Sequence, residues 1–134
     1  LGLKTRYNGK DALNKEAITA LKGHTIIPVC PEQLAGLPTP RPRAEIESGD
    51  GAHVLDNRAR VVNENGLDVT KTFIRGANEL LKIARITGAK KAFLKEGSPS
   101  CGVKQITKAG ATIEGAGVLA SLLKREGIET KGFG

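Results

Sequence analysis

Two amphipathic stretches, each running straight into a short apolar run, constrain this chain more than any other feature. Asp68-Val69-Thr70 opens the first, where Phe73, Ile74, Ala77, Leu80, Leu81, Ala84 and Arg85 trace one stripe with a polar rim before Gly88. Thr70 is the predicted helix cap, and Lys91-Ala92-Phe93-Leu94-Lys95-Glu96 follows as a buried strand. The second stretch runs from Gly117 through Val118, Leu119, Leu122 and Leu123 to Arg125 and stops at Gly127, with Ile128-Glu129-Thr130 returning as a strand. Helical periodicity giving way to a short strand, twice over, argues for an α/β layered fold with a largely parallel sheet.

The N-terminal half fits the same alternation. A polar turn, Tyr7-Asn8-Gly9-Lys10, precedes a predicted helix from Asp11 to Lys22, with Leu13, Ala17, Ala20 and Leu21 on one face and Gly23 as its stop. Thr25-Ile26-Ile27-Pro28-Val29 reads as a buried strand whose proline marks its end or an edge. The prolines between Pro31 and Glu45 argue against regular structure over most of that stretch. Around 44–70, turn signals alternate with short apolar pieces, which predicts a small hairpin or an irregular excursion. A further strand ahead of Leu1 would complete a doubly wound sheet.

At 134 residues the chain suits one domain, 1–134, with one core. With 39% hydrophobic and 26% charged residues, but three phenylalanines, one tyrosine and no tryptophan, that core must be aliphatic. No apolar run approaches the roughly 18 residues of a membrane span, and the expectation is a soluble, cytoplasmic protein without a membrane partner. The net charge of +7 favours anionic partners, but the basic residues are scattered. Local groups at Arg41/Arg43, Lys90/Lys91 and Lys124/Arg125 form no stripe that would track a nucleic-acid backbone.

In open parallel sheets ligands collect beyond the carboxyl ends of strands, and both cysteines fall there. Cys30 follows the Thr25–Val29 run, and Cys101 sits in the loop Gly97-Ser98-Pro99-Ser100-Cys101-Gly102 after the next strand. Reduced thiols in a cytoplasmic chain are buried, catalytic or metal-bound. A small buried hydrophobe remains the bland reading of Cys30; a Ser-Pro-Ser-Cys-Gly loop is a poor place to hide a side chain. Glu32, two residues past Cys30, is either a proton-transfer group or an ordinary solvated carboxylate. His24 and His53 read as surface histidines, and no CxxC or HxxxH spacing supports zinc.

Longer motifs carry more. RYNGK (Arg6 to Lys10), PVCPEQLAGLPTPRPRAEI (Pro28 to Ile46), GDGAHVLDNRARVVNENGLDVT (Gly49 to Thr70), KEGSPSCG (Lys95 to Gly102) and GAGVLASLLKREGI (Gly115 to Ile128) resemble, in order, the DUF523 family, to which the 2-thiouracil desulfurases belong. The resemblance implies a Rossmann-like α/β domain binding a four-iron four-sulfur (4Fe-4S) cluster through three cysteines. The open iron takes the sulfur of a thiolated pyrimidine such as 2-thiouracil. Cys30 matches the cysteine of the CPEQ motif and Cys101 that of SPSCG, as cluster and metal ligands. Glu32, Ser100 and Ser98 match the catalytic acid and hydroxyl positions, Ser100 first among the serines. Arg6, Arg41 and Arg43 are expected on a basic rim that favours an anionic substrate.

The same resemblance places the third ligand in a Cys-Leu-Leu-Gly motif, of which this chain shows only Leu1-Gly2. Relatives also carry a longer loop where Thr107-Lys108-Ala109-Gly110 stands here, so residues are expected to be missing both there and before Leu1. The resulting expectation is an iron-sulfur desulfurase that converts a free thiolated nucleobase to its oxo form and sulfide. A non-catalytic metal- or anion-binding module and a desulfurase of thiolated nucleotides in RNA are the alternatives.

Overall fold

A computed structural model of the chain describes residues 1–134 throughout. The elements are α1 (Lys15–Ala20), α2 (Pro31–Leu34), β1 (Ala44–Ile46), α3 (Gly51–Leu55), β2 (Val61–Asn63), α4 (Thr70–Thr87), β3 (Lys91–Lys95), β4 (Gln105–Lys108), β5 (Ala111–Glu114), α5 (Val118–Arg125) and β6 (Glu129–Phe133). They form one small mixed α/β unit around a single aliphatic core in which Val54, Val61, Phe73, Leu81, Leu119 and Leu123 are buried. No helix is long and apolar enough to cross a membrane.

α4 is the central rod. Its Phe73, Ala77, Leu80, Leu81 and Ala84 are buried, as the stripe predicted, and Gly88 closes it in the left-handed conformation at φ +68°. Its start differs in detail from the expectation. Thr70 is the first helical residue, and the Asp68 carboxylate accepts from the Thr70 amide at 2.9 Å and the Thr70 hydroxyl at 2.5 Å. That hydroxyl in turn accepts from the Val61 amide, tying α4 to β2. α5 packs on α4 and matches its predicted span.

β3 and β6 pair in parallel, Lys91 opposite Glu129 and Lys95 opposite Phe133. This is the only parallel pair; β1–β2 and β4–β5 are antiparallel. The largely parallel sheet of the sequence reading is therefore corrected to three two-stranded pairs. The 44–70 excursion is the β1–β2 pair with α3 inserted between its strands. β4 and β5 join through Ala109 and Gly110, both at positive φ (+49° and +76°), so the interval between Ile106 and Gly115 closes as a two-residue hairpin.

Two N-terminal expectations are also corrected. α1 is six residues, not twelve: Asn14 caps it by accepting from the Ala17 amide at 2.8 Å, which leaves Leu13 outside and 58% exposed. Thr25–Val29 is extended but is no strand, and Ile26, Ile27 and Val29 are exposed. Its main chain makes no backbone hydrogen bond. Strand geometry needs a partner, and β-branched composition alone does not supply one.

A partner edge stands open nearby. The Lys90 carbonyl accepts from Glu129 and the Glu96 amide donates to Phe133, so Lys90, Ala92, Leu94 and Glu96 face β6. By alternation Lys91, Phe93 and Lys95 turn their main-chain groups away from it. A cavity of about 900 Å³ is lined by both the extended segment and β3, with Leu80, Ile83 and Ala84 of α4 and Phe133 as apolar walls.

Close packing sets where the N-terminal loop sits. α2 lies so near α4 that a Cβ on Gly76 would overlap the Pro31 carbonyl. Gly76→Ala is expected to lower stability by about 1–3 kcal/mol, read as a drop in thermal midpoint, because overpacking here pushes α2 off α4. In hydrogen exchange, the amides of Ala92 and Leu94 should be protected while those of Ile26, Ile27, Lys91, Phe93 and Lys95 exchange fast. Uniform protection across β3 would contradict the open edge.

Candidate functional site

Each cysteine is delivered by a short, stiff connection. Cys30 ends the extended segment and stands at the N-cap position of α2, with Pro31 as the first helical residue, where its fixed φ and missing N–H cost nothing. Glu32 is then in the first turn of α2. Cys101 lies in the loop after β3, and that loop is pinned from three sides. The Gly102 amide donates to the Ser98 carbonyl at 2.9 Å, and Gly117, Val118 and Ala120 at the start of α5 donate to Gly102, Pro99 and Ser100. Gly117 permits this approach, since a Cβ there would overlap the Ser100 carbonyl.

The structure brings the sequence-predicted residues together. Cys30 and Cys101 line the same cavity, both are half-buried, and neither is in a disulfide. The Ser100 hydroxyl donates to Glu32 Oε1 at 3.2 Å across 68 residues of sequence. Ser100 is buried, at 3% exposure. Ser98 sits differently: its Oγ accepts from the Ser100 and Cys101 amides, each at 3.1 Å, so its oxygen holds the loop.

Burial pushes the Cys101 thiol up to about 12, and the negative charges of Glu32 and Cys30 act in the same direction; the Ser98 hydrogen bond and Lys95 oppose them. In the metal-free protein at neutral pH this sulfur is a thiol, and a metal ion that binds it must displace the proton.

Two residues that hold the site were not singled out. Arg41, grouped above with a basic rim, is buried, and its Nε donates to Glu32 Oε2 at 2.7 Å. It is therefore no part of an exposed rim. Arg6 and Arg43 instead flank the Tyr7 ring, at 5.7 and 5.8 Å from its centroid. Glu96 accepts from the amides of Val103, Lys104 and Gln105 at 3.0–3.2 Å and so fixes the far side of the Cys101 loop. Its place directly after a strand and before a Gly-Ser-Pro turn was the available signal. His24 is exposed, meets Phe93 edge-on and lines the cavity wall, and His53 belongs to the capping box of α3 with Asp50.

As a donor set the site offers two soft thiols, and no three His, Cys, Asp or Glu side chains are placed to hold a metal ion by themselves. Two thiols fit in kind with iron and supply two ligand positions.

Comparison with known proteins bears on all of this. A family model described as 2-thiouracil desulfurase matches residues 1–132. The uncharacterized protein YbbK of Bacillus subtilis (strain 168) is 40% identical over 129 residues, which is 94% of this chain and 85% of that protein. A solved structure described as the 4Fe-4S-dependent thiouracil desulfidase TudS, a DUF523 protein, superposes with a TM-score of 0.79 at 38% identity, covering 98% of this chain and 84% of that one.

Reaction with iodoacetamide checks the thiol assignment. Cys101 in the folded, metal-free chain should alkylate slowly at pH 8 and gain about tenfold per pH unit well beyond the range of an ordinary thiol near 8.5. A rate that levels off near pH 9 would overturn it.

Proposed function

The chain belongs to the 2-thiouracil desulfurase family, and from that membership we propose that it removes sulfur from a thiolated pyrimidine such as 2-thiouracil, using an iron-sulfur cluster. The observation that carries this reading is that Cys30 and Cys101 line one cavity while Glu32, in the helix that Cys30 caps, hydrogen-bonds Ser100 next to Cys101, in a chain 38% identical to a 4Fe-4S-dependent thiouracil desulfidase. Cys30 and Cys101 would hold the cluster from two sides. Its third thiolate is not among the chain's two cysteines. When bound, the cluster supplies an iron that binds a soft sulfur atom in preference to oxygen.

The overall reaction exchanges one atom pair: thiouracil and water give uracil and hydrogen sulfide, with no change in electron count. The protein's part is proton handling. The Ser100 hydroxyl donates to Glu32 Oε1, so Glu32 accepts a proton through Ser100 as water adds to the thiocarbonyl carbon, and returns it as sulfur leaves. Ser98 keeps the loop in shape by accepting from the Ser100 and Cys101 amides, a supporting role and not a proton-transfer one. The apolar walls of the cavity suit a flat, uncharged ring, and the scattered basic surface gives no track for RNA, so the free base is the substrate. We read the layering of β3, β6, α4 and α5 as Rossmann-like and the whole chain as one domain, in the cytoplasm where the thiols stay reduced.

Anaerobic reconstitution with iron and sulfide tests the reading. The loaded protein should release sulfide from 2-thiouracil; a loaded protein that releases none would remove the enzyme assignment. Cys101→Ser should lose most bound iron. Glu32→Gln should retain its iron and slow turnover by about 10²-fold or more.

A further inference from the structure

Glu32 is carried by a helix of only four residues, which by itself fixes a side chain poorly. What fixes it is Arg41. The guanidinium lies at 4% side-chain exposure, and a buried cation is tolerated only where its donors are met. Here four of the five N–H donors are met, from three segments. Nε donates to Glu32 Oε2 at 2.7 Å, NH1 to the Pro38 carbonyl at 3.3 Å and to Thr39 Oγ1 at 3.0 Å, and NH2 to the Thr5 carbonyl at 2.9 Å. The Arg41 amide adds a bond to the Tyr7 carbonyl at 2.7 Å.

The pairing with Glu32 is through one oxygen. Arg41 takes Oε2, and Oε1 is left to accept from Ser100 at 3.2 Å. The two carboxylate oxygens therefore have separate duties. Neither a rotation of the carboxyl group nor a shift of α2 can exchange them without breaking the shortest contact of the set. An ammonium in place of the guanidinium would keep the charge and lose the directed Nε–H together with the second and third donor directions.

We propose that Arg41 is the positioning residue of this site: it holds Glu32 Oε2 so that Oε1 stays aimed at the Ser100 hydroxyl. It touches neither substrate nor sulfur and acts through Glu32. The inference rests on the desulfurase reading for its kinetic consequence, while the network itself stands on the geometry alone. A misplacement of about 1 Å at a reacting group costs on the order of 10²-fold in rate, which sets the scale of the effect.

The test has two arms. In the reconstituted protein, Arg41→Lys should lower kcat at least tenfold with KM within twofold and iron content unchanged. In the Glu32→Gln background the same substitution should cost nothing further, because its route of action is already gone. Additive losses in the double variant would mean that Arg41 serves only the fold and would overturn the proposal. In the metal-free chain, nuclear magnetic resonance should show a slowly exchanging Arg41 Nε–H signal that Glu32→Gln displaces, and Arg41→Lys and Glu32→Gln should displace the Ser100 Cβ signal alike. A freely exchanging Nε–H in the wild-type chain would overturn the proposal even if Arg41→Lys failed to fold. Absence of sulfide release by the wild type would instead remove the desulfurase reading and leave the resonance arm to decide the network.

Discussion

Burial of one face of α4 is the constraint on which the rest of the molecule depends. Phe73, Leu80 and Leu81 are each worth roughly 1.5–3 kcal/mol when removed from water, and they gather the other elements against one rod. α2 leans on the same rod at Gly76, so the thiol of Cys30 and the carboxylate of Glu32 inherit their place from core packing. α5, on another side of the rod, receives the Cys101 loop through the bonds to Gly117, Val118 and Ala120. Two loops far apart in sequence thus meet because a single helix sets the spacing of both supports.

The site that results is asymmetric in its polarity. On one side Arg41, Glu32 and Ser100 form a line of hydrogen bonds that begins at a buried cation. On the other, Ser98 and Glu96 spend their oxygens on backbone amides and make the Cys101 loop rigid. Preorganisation of this kind fixes polar groups before any ligand arrives, and it requires that the surrounding polar groups already be satisfied. No buried side-chain nitrogen or oxygen in the chain lacks a partner.

Legibility in the sequence followed periodicity. The stripes of α4 and α5 were readable because burial on one helical face repeats every three to four residues, and β3 and β6 because each follows such a helix after a glycine stop. Thr25–Val29 has the same strand-like composition, yet pairing is a property of two segments, and composition reports on one. The β4–β5 hairpin was invisible because Ala109 holds a left-handed conformation that favours glycine or asparagine, so Ala-Gly gave no turn signal of the Asn-Gly kind. Cys30, Cys101, Glu32 and Ser100 were singled out because their motifs are distinctive, and the fold brings Glu32 against Ser100 and both cysteines to one cavity. Arg41 was misplaced for the opposite reason: an arginine between prolines looks like any surface charge, and only three-dimensional packing reveals that its guanidinium makes four hydrogen bonds within the chain.

The open edge of β3 has a consequence for how the protein behaves among its own copies. Unpaired strand edges recruit other strands, and an apolar trough beside one deepens the attraction. Lys91 and Lys95, both exposed, stand at the two ends of that edge, and the chain carries seven more positive than negative charges. Three two-stranded pairs leave several unpaired edges, and a second copy approaching along this one meets a lysine at each end. Colloidal stability is thus written into the two lysines that frame the trough, and it weakens as salt shortens the reach of their charge.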